Sequence, residues 1–301
     1  MSDAIRFSLE HLKTRQKSIP LTEAVENLIS TKKAAGRSLS YCRLLTGNLK
    51  KLTSFYPNRT VGELTKRDID AFLASLATHL APQTVNTVRR DCVSLWSFCV
   101  ASEYADRNVA ELSELASEIP KTPAVLTPTQ AADLLNASHE ADMTAFIAIA
   151  LFAGLRVHEI KKLDWKHIDL EDGSIQVSAE MDTKRKSRRS VPIQPNLRLW
   201  LEPIAHSSGK VVNQNHRRRW LATRKRAKLT SWDDNCMRHS FVSYRLAAKP
   251  DRAAVASEAR HSQAVLESNY LNLVRNSDAN KYWEIVPQTV SLNISDEVKK
   301  P

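Results

Sequence analysis

The sequence has little of what marks several protein classes. Its four cysteines include no C-x-x-C pair and no companion histidine at zinc spacing, which excludes a disulfide framework and a zinc site. With only six glycines and 12 scattered prolines among 301 residues, a long disordered tract is not expected. The longest apolar run, residues 145–154, is too short to span a bilayer, and the N-terminus lacks the apolar core of a signal peptide. We therefore expect a soluble, cytoplasmic protein with reduced thiols and no membrane contact.

An excess of positive charge is the first feature that the sequence does have. Lys and Arg number 44 against 33 Asp and Glu, which gives a net charge of +11 and a pI near 9.5. This excess favours a polyanionic partner, because each phosphate that a protein neutralises releases condensed counterions. Charge alone leaves the question open, since many basic proteins bind no nucleic acid.

The first part of the chain has a purely helical hydrophobic pattern. Residues 1–19 are polar and basic and are predicted to form a short arm. Between residues 20 and 107 the apolar positions recur with a helical period, and helices are predicted to begin near 21 and to cover about 38–56, 66–76 and 83–103. Residues 108–124, which include two prolines, are predicted to be a linker.

Residues 125–287 are predicted to form a second, mostly α domain with one small antiparallel sheet. Thr127 and Pro128 suit the start of a helix, and the apolar helix 144–152 should end before Gly154. A further helix is expected over about 156–164. The period then changes to two, and Asp172-Gly173 predicts a hairpin that a third strand at 191–193 joins after the basic turn 183–189. The fold class is therefore mainly α.

Four short motifs follow one another along this second part. They are Gly154-Leu155-Arg156-x-x-Glu159, T-K-x-x-x-R-R-x-V-P from Thr183, M-R-H-S-F around Arg238, and R-H-S around His261, which is followed nine residues later by Tyr270. Each residue alone has an ordinary structural explanation. Arg156 could pair with Glu159, the basic run could be a solvated loop, and Tyr270 could be a half-buried aromatic.

Cleavage of a phosphodiester without a metal would need residues of these types. Two arginines can bind non-bridging oxygens bidentately and keep their charge at any working pH, and preorganised charge is usually the largest catalytic contribution. A lysine on a hairpin turn, such as Lys184, can protonate the leaving oxygen. Tyr270 can form the covalent bond to phosphorus.

In this order and spacing, the four motifs resemble those of the phage integrase family of tyrosine site-specific recombinases. The resemblance covers the chain from about residue 20. It implies a SAM-like helical core-binding domain at 20–107 and a catalytic domain of the DNA breaking-rejoining fold at 125–287. It also implies integration, excision or inversion of DNA through a 3′-phosphotyrosine, with no cofactor, metal or ATP. The implied partners are double-stranded DNA, in the nucleoid, and further copies of the chain: a dimer on one site and a tetramer in synapsis.

The resemblance assigns roles to particular residues. The implied catalytic set is Arg156 and Arg238 as the phosphate clamp, Lys184 as general acid, His261 as a phosphate hydrogen-bond donor, and Tyr270 as nucleophile. Supporting roles fall to Glu159, Asn235 and His239, and Lys186 is the alternative to Lys184.

Two positions depart from the family pattern. Asn235 stands where the family usually has His or Lys, and Arg260 stands where it usually has Gly. Both departures put full-rate catalysis in doubt, so a catalytically impaired DNA-binding protein of the same fold is one alternative. A type IB topoisomerase-like enzyme and a helical RNA-binding protein are two others.

Basic residues in both parts of the chain are predicted to contact DNA. They are Lys32, Lys33, Arg43, Lys50, Arg89 and Arg90 in the first part, and Lys186, Arg188, Arg217, Arg218, Arg219 and Arg224 in the second. The tail, 288–301, has alternating apolar residues at 289–295 that predict a strand. That strand could join a neighbouring protomer, fold back on its own chain, or be disordered, and the sequence does not decide between these.

Overall fold

The computed structural model describes residues 18–119, 121–182, 187–248 and 251–288. The chain divides into two units, Met1–Pro120 and Lys121–Pro301. The division falls inside the stretch 108–124, for which the sequence predicts a linker. The predicted arm up to residue 17 and the predicted strand at 289–295 lie outside the described residues.

In its described part, the first unit has four α-helices whose starts the sequence explains. They are Leu21–Ala34 (α1), Leu39–Phe55 (α2), Lys66–Ala77 (α3) and Pro82–Ala101 (α4), with a 3-10 turn at Val61–Glu63. Ser38 and Thr65 cap α2 and α3 with their side-chain oxygens. Proline suits the first position of α4, because its missing N–H would have no partner there. The apolar faces enclose a core that includes Leu28, Leu49, Phe72 and Trp96.

Part of the predicted linker packs on this first unit. Val109 and Ala110 are buried in its core. The side chain of Asn86 donates to the carbonyl of Ala116 and accepts from its backbone N–H, at 2.9 and 2.8 Å. Arg89 donates to carbonyl oxygens at 111 and 113. The segment up to about residue 118 is therefore held against α4.

The second unit is mostly helical with a small sheet. Its described helices are Pro128–Asn136 (α5), Thr144–Phe152 (α6), Val157–Ile160 (α7), Pro195–Leu201 (α8), His216–Arg226 (α9), Cys236–Ala248 (α10), Arg252–Ala259 (α11), Gln263–Tyr270 (α12) and Asn276–Trp283 (α13), with 3-10 turns at His139–Ala141, Trp165–His167 and Glu202–Ile204. The strands are Ile168–Asp169 (β1), Ser174–Val177 (β2) and Arg189–Pro192 (β3). The predicted fold class, mainly α with a small antiparallel sheet, is confirmed.

Helix α6 is the centre of this unit. All nine of its residues are buried, and it packs against α8 and α10. The hydroxyl of Tyr282 on α13 donates to the carbonyl of Leu151 at 2.6 Å, and the hydroxyl of Tyr244 on α10 donates to the carbonyl of Leu126 at 2.9 Å. These hydrogen bonds satisfy phenols that would otherwise be costly to bury.

The three strands form an antiparallel sheet in the order β1-β2-β3. Ile168 lies opposite Ile175, which in turn lies opposite Val191. Residues on one face of a strand alternate, so Arg189 shares the inward face of β3 with Val191. This register turns Arg189 towards the core.

The predicted helix over 156–164 is wrong in length. It ends at Ile160, and the backbone of 163–165 pairs instead with a later segment: Trp165 N–H donates to the carbonyl of Gly209 at 2.8 Å, and Val211 N–H donates to that of Leu163 at 3.2 Å. Asp164 accepts from the N–H of Gly209 at 3.0 Å. These non-local hydrogen bonds replace those that a longer helix would make.

The four cysteines, Cys42, Cys92, Cys99 and Cys236, are buried and free. Among the described residues, we find no helix with the length and apolar character needed to cross a membrane.

Candidate active site

The first motif lies at a sharp turn between α6 and α7. Gly154 has a φ of +60°, and a Cβ at this position would lie 2.2 Å from Cδ1 of Phe241, so only glycine fits without displacement. Arg156 immediately precedes α7, and its backbone N–H donates to Oε2 of Glu159 at 2.8 Å, as in a capping box. Its guanidinium lies 3.3 Å from the same carboxylate. The turn therefore fixes where the Arg156 side chain leaves the backbone.

The second predicted clamp residue, Arg238, lies on the buried side of α10. Only 6% of its surface is exposed. Its Nη1 donates to the carbonyl of Gly154 and its Nη2 to that of Ala259. Burial, and after it the charge of Arg156, lower the pKa of Arg238 to about 10. Both hydrogen-bond acceptors are neutral, so the charge of this arginine is left available to an anion.

Tyr270 ends α12, and the charges of both arginines act on its phenol. It is 3% exposed and packs in a small apolar cluster with Phe241 and Leu266. Burial raises the pKa of Tyr270, while the charges of Arg238 and Arg156 act in the opposite direction. The phenol therefore lies within range of the charges of two guanidinium groups that come from two other segments of the chain.

Two histidines contact Tyr270. Nδ1 of His239 lies 2.7 Å from the phenolic oxygen. His261 approaches the phenol ring edge-on, with ring centroids 5.4 Å apart. His239 follows Arg238 on α10, and His261 follows the turn that ends α11.

A buried network of charges surrounds Glu159, which is fully buried. Arg189 donates to both of its carboxylate oxygens, at 2.9 and 2.8 Å. Burial by itself raises the pKa of Glu159, but the hydrogen bonds from Arg189 and from the backbone of Arg156 outweigh it and hold the pKa below the ordinary value. Asp182, 1% exposed, lies 3.9 Å from Arg189 and 3.1 Å from Arg260.

Sequence reasoning missed Arg189 and Asp182, because the basic run containing Arg189 was interpreted as a solvated turn. The signal for Arg189 was present. Arg189 stands two positions before Val191, so extending the strand predicted at 191–193 by two residues places both side chains on the same face, as they are in β3. No comparable pattern marks Asp182.

Residues 183–186 lie outside the described residues, and they include the two lysines proposed for proton donation, Lys184 and Lys186. The residues on either side, Asp182 and Ser187, both contact the guanidinium of Arg260. The roles of the two lysines stay predictions.

Most of the predicted DNA contacts are exposed on their own units. The exposed residues are Lys33, Arg43, Lys50, Arg90, Arg188, Arg217 and Arg218, and Lys32 is half-buried.

The other three have intramolecular contacts. Arg89 donates to backbone carbonyls, and Arg219 pairs with Asp142 at 2.7 Å. Arg224 donates to the carbonyls of residues 229 and 230, and its guanidinium lies 5.1 Å from the ring centroid of Trp232. These contacts leave fewer donors for a phosphate than the exposed residues have.

Comparison with known proteins agrees with the motifs. Residues 124–271 match the sequence profile of the phage integrase family. This stretch of the second unit is therefore similar to the phage integrase family. The chain is 31% identical over 151 residues to an integrase of Streptomyces ambofaciens, a match covering 45% of this chain and 39% of that protein. It is 27% identical over 162 residues to the prophage integrase IntZ of Escherichia coli, covering 51% and 40%. The chain therefore spans about two fifths of the length of these curated relatives.

The fold is also that of a solved family structure. A lambda integrase dimer bound to a COC' core site matches with a TM-score of 0.68 and 14% identity, over 90% of this chain and 81% of that one. At this identity the likeness shows a shared fold and no shared activity.

The first departure from the family pattern has a structural explanation. Arg260 has a φ of +53°, the left-handed conformation that glycine adopts most easily. The N–H of Arg260 donates to the carbonyl of Ser257 at 3.2 Å and that of His261 to the carbonyl of Ala256 at 3.0 Å, which is a Schellman ending of α11. The backbone of the usual glycine turn is thus kept. Arginine adds the ion pair to Asp182 and a hydrogen bond to Ser187.

The second departure, Asn235, also has a left-handed backbone, with a φ of +63°. Asparagine tolerates this conformation better than most residues. Its carbonyl accepts from the N–H of His239 at 2.8 Å, which begins α10. Asn235 and Arg238 line one cleft of about 590 Å³, together with Lys161, Arg217 and Arg224. Asn235 thus lies in the same cleft as Arg238, but an amide there cannot act as acid or base near neutral pH.

Proposed function

We propose that the chain is a site-specific DNA recombinase that cuts and rejoins DNA through a covalent 3′-phosphotyrosine, giving integration, excision or inversion. The observation that carries the proposal is the convergence of Tyr270 with Arg156 and Arg238. The positive charges of Arg238 and Arg156 act on the phenol and lower its pKa, in opposition to burial. A scissile phosphate next to the phenol would replace the neutral carbonyls as the partner of Arg238.

In the proposed reaction, Arg156 and Arg238 bind the non-bridging oxygens and stabilise the charge that develops on them. The oxygen of Tyr270 attacks phosphorus, and the bond to the 5′ oxygen breaks. Lys184 donates the proton that this leaving oxygen needs, with Lys186 as the alternative, and His261 donates a hydrogen bond to the phosphate. Glu159 holds Arg156 and Arg189 in place. The covalent bond conserves the energy of the phosphodiester, so the scheme uses no ATP, cofactor or metal.

The proposed partner is double-stranded DNA in the cytoplasm, at the nucleoid. The exposed basic residues of both units would contact phosphates, which position a protein on the duplex without reading its sequence. The lambda integrase relative is a dimer on its core site. We extend this arrangement to the present chain: a dimer on each site, a tetramer in synapsis, and the tail from residue 288 packed on a neighbour in trans. The proposed domains are an arm at 1–19, a core-binding domain at 20–107, a linker at 108–124 and a catalytic domain at 125–287.

A covalent adduct tests this function. The chain is incubated with a pool of nicked duplexes of randomised sequence, so that a cleaved strand loses its downstream fragment and cannot be rejoined. Adducts that survive denaturation are isolated on a gel and their DNA is sequenced. We expect adducts with an enriched sequence, and none with Tyr270→Phe.

Tyr244→Phe is the matched control. It also removes a buried phenolic hydrogen bond from the same unit, to Leu126 at 2.9 Å, but lies outside the site, so it should still form adducts. An adduct that persists in Tyr270→Phe contradicts the proposal. DNA binding without any adduct favours the catalytically impaired protein, and adducts without sequence preference favour a topoisomerase.

A further inference from the structure

His239 holds the reacting oxygen of Tyr270. Its Nδ1 lies 2.7 Å from that oxygen, and the two ring centroids are 5.6 Å apart with the planes inclined by 37°. The family resemblance gives this histidine only an unspecified supporting role. The distance is that of a strong hydrogen bond in which one oxygen and one nitrogen share a proton.

The protonation of the two groups allows the phenol to donate this hydrogen bond to the imidazole. Burial raises the pKa of Tyr270 despite the two arginines, so the phenol is protonated at neutral pH. Burial and then the charge of Arg238 lower the pKa of His239, so its imidazole is neutral. When the imidazole carries its proton on Nε2, the phenol donates and Nδ1 accepts.

We infer that His239 is the catalytic base that takes the proton from Tyr270 as its oxygen attacks the phosphate. The inference rests on the proposed function. In the step, the proton moves from the phenolic oxygen to Nδ1, the oxygen–phosphorus bond forms, and the bond to the 5′ oxygen breaks. That leaving oxygen takes its proton from the general acid, and both protons return when the strand is rejoined.

Other groups around the phenol are less suited to this task. Asn235 occupies the position where the family usually has a titratable side chain, and an amide takes up no proton near neutral pH. His261 presents its ring edge-on to the phenol ring, whereas His239 is aligned with the oxygen itself. Geometry decides between candidate bases before pKa does.

The charges around His239 suit a base that is neutral before the reaction. Arg238 on the same helix disfavours its protonation and Asp233 favours it. His239 and Tyr270 also border a cleft of about 580 Å³ that Lys121, Asp233 and Asp234 line, with Lys121 paired to Asp233 at 2.6 Å. When Tyr270 becomes a phosphotyrosine, its anionic phosphate lies close by and stabilises the imidazolium.

The test compares His239→Asn with wild type in single-turnover cleavage of the DNA enriched from the randomised pool. The amide oxygen of asparagine can occupy roughly the position of Nδ1 and accept the hydrogen bond, but it cannot take the proton. We expect cleavage to slow by about 10²- to 10⁴-fold at neutral pH. The wild-type rate should fall on acidification below the ordinary histidine value of 6.5, and this acid limb should be absent in His239→Asn.

His167→Asn is the matched control. Nδ1 of His167 also accepts a hydrogen bond, from the backbone of Asp164 at 3.1 Å, but in another part of the unit. It should keep the wild-type rate and pH profile. A His239→Asn variant that cleaves at the wild-type rate with an unchanged acid limb overturns the inference and leaves the proposed function intact. Absence of adducts from wild type itself overturns both.

A second measurement needs neither DNA nor a substituted protein. The ¹⁵N chemical shifts of the imidazole distinguish the two tautomers and the imidazolium. We expect neutral His239 with its proton on Nε2 at pH 7. A proton found on Nδ1 overturns the inference, because that nitrogen could then accept none from Tyr270.

Discussion

Asp182 and Arg260 form an ion pair at 3.1 Å. It joins the segment that follows β2 to the turn that precedes His261. Asp182 also lies 3.9 Å from Arg189, which in turn binds Glu159. A chain of alternating charges therefore connects the hairpin, the first motif and the last. We expect its members to affect the site by holding these segments in register.

The left-handed turn at Arg260 can be separated from its ion pair by two substitutions. Arg260→Ala removes the contacts to Asp182 and Ser187 but keeps a side chain at a φ of +53°, whereas Arg260→Gly removes both the contacts and the strain. We expect Arg260→Ala to be about 1 kcal/mol less stable than Arg260→Gly. Urea unfolding of the two variants measures the difference. Equal stabilities would contradict a strained turn.

The pair between Glu159 and Arg189 predicts a pH dependence of stability. Glu159→Gln leaves the buried Arg189 without its carboxylate and should lower the free energy of unfolding by about 3 kcal/mol at pH 7. The pKa of Glu159 is held below its ordinary value of 4.5. Its contribution is therefore complete above that pH and is lost as the pH falls through the folded-state pKa.

Urea unfolding of wild type and Glu159→Gln between pH 7 and pH 3 checks this. The difference in free energy of unfolding between the two proteins should shrink below pH 4.5, because Glu159 becomes protonated there. The other carboxylates titrate in both proteins, so their effects cancel in this difference. A difference that stays constant down to pH 3 would show that the negative charge of Glu159 does not stabilise the folded protein.

The close approach at Gly154 predicts an unusually costly substitution. Gly154→Ala places a Cβ 2.2 Å from Phe241 and adds the cost of a positive φ, so we expect a loss of roughly 2–4 kcal/mol. Gly173→Ala is the control: Gly173 has a φ of +65°, and a Cβ there would lie 3.6 Å from Nη2 of Arg198, an ordinary van der Waals distance. It should cost about 1 kcal/mol. Thermal unfolding of both variants separates crowding from backbone strain.

The buried position of Arg238 predicts that charge alone is insufficient there. Arg238→Lys keeps the charge but not the planar fork that reaches two carbonyl oxygens and would also reach a phosphate. We expect adduct formation to fall by about 10²-fold or more. Arg245→Lys is the matched control on the same helix. There Nε and Nη2 of Arg245 donate two hydrogen bonds to the carboxylate of Glu258, at 2.9 and 3.0 Å. It should lose stability while adduct formation per folded molecule stays unchanged.

Local sequence signals predicted most helix starts correctly. Ser38, Thr65 and Thr127 each act on backbone N–H groups within three residues, so the neighbouring sequence contains all the information that the cap requires. The hairpin at Asp172-Gly173 is local in the same way. The prediction of a helix over 156–164 was wrong in length because a distant segment at 209–211 forms hydrogen bonds with the backbone of its second half. The local pattern of apolar residues contains no information about such a distant partner.

The sequence by itself selected Arg156, Arg238, His261 and Tyr270 as candidate site residues through the order and spacing of four motifs, but it did not select Arg189 or Asp182. Only the tertiary structure decided how these residues are held. Arg238 is bound by two backbone carbonyls, Glu159 is neutralised by Arg189, and the oxygen of Tyr270 is aligned with His239. The physical reason is that a motif records residue types along the chain, whereas hydrogen bonds and burial depend on distances between segments that are far apart in sequence.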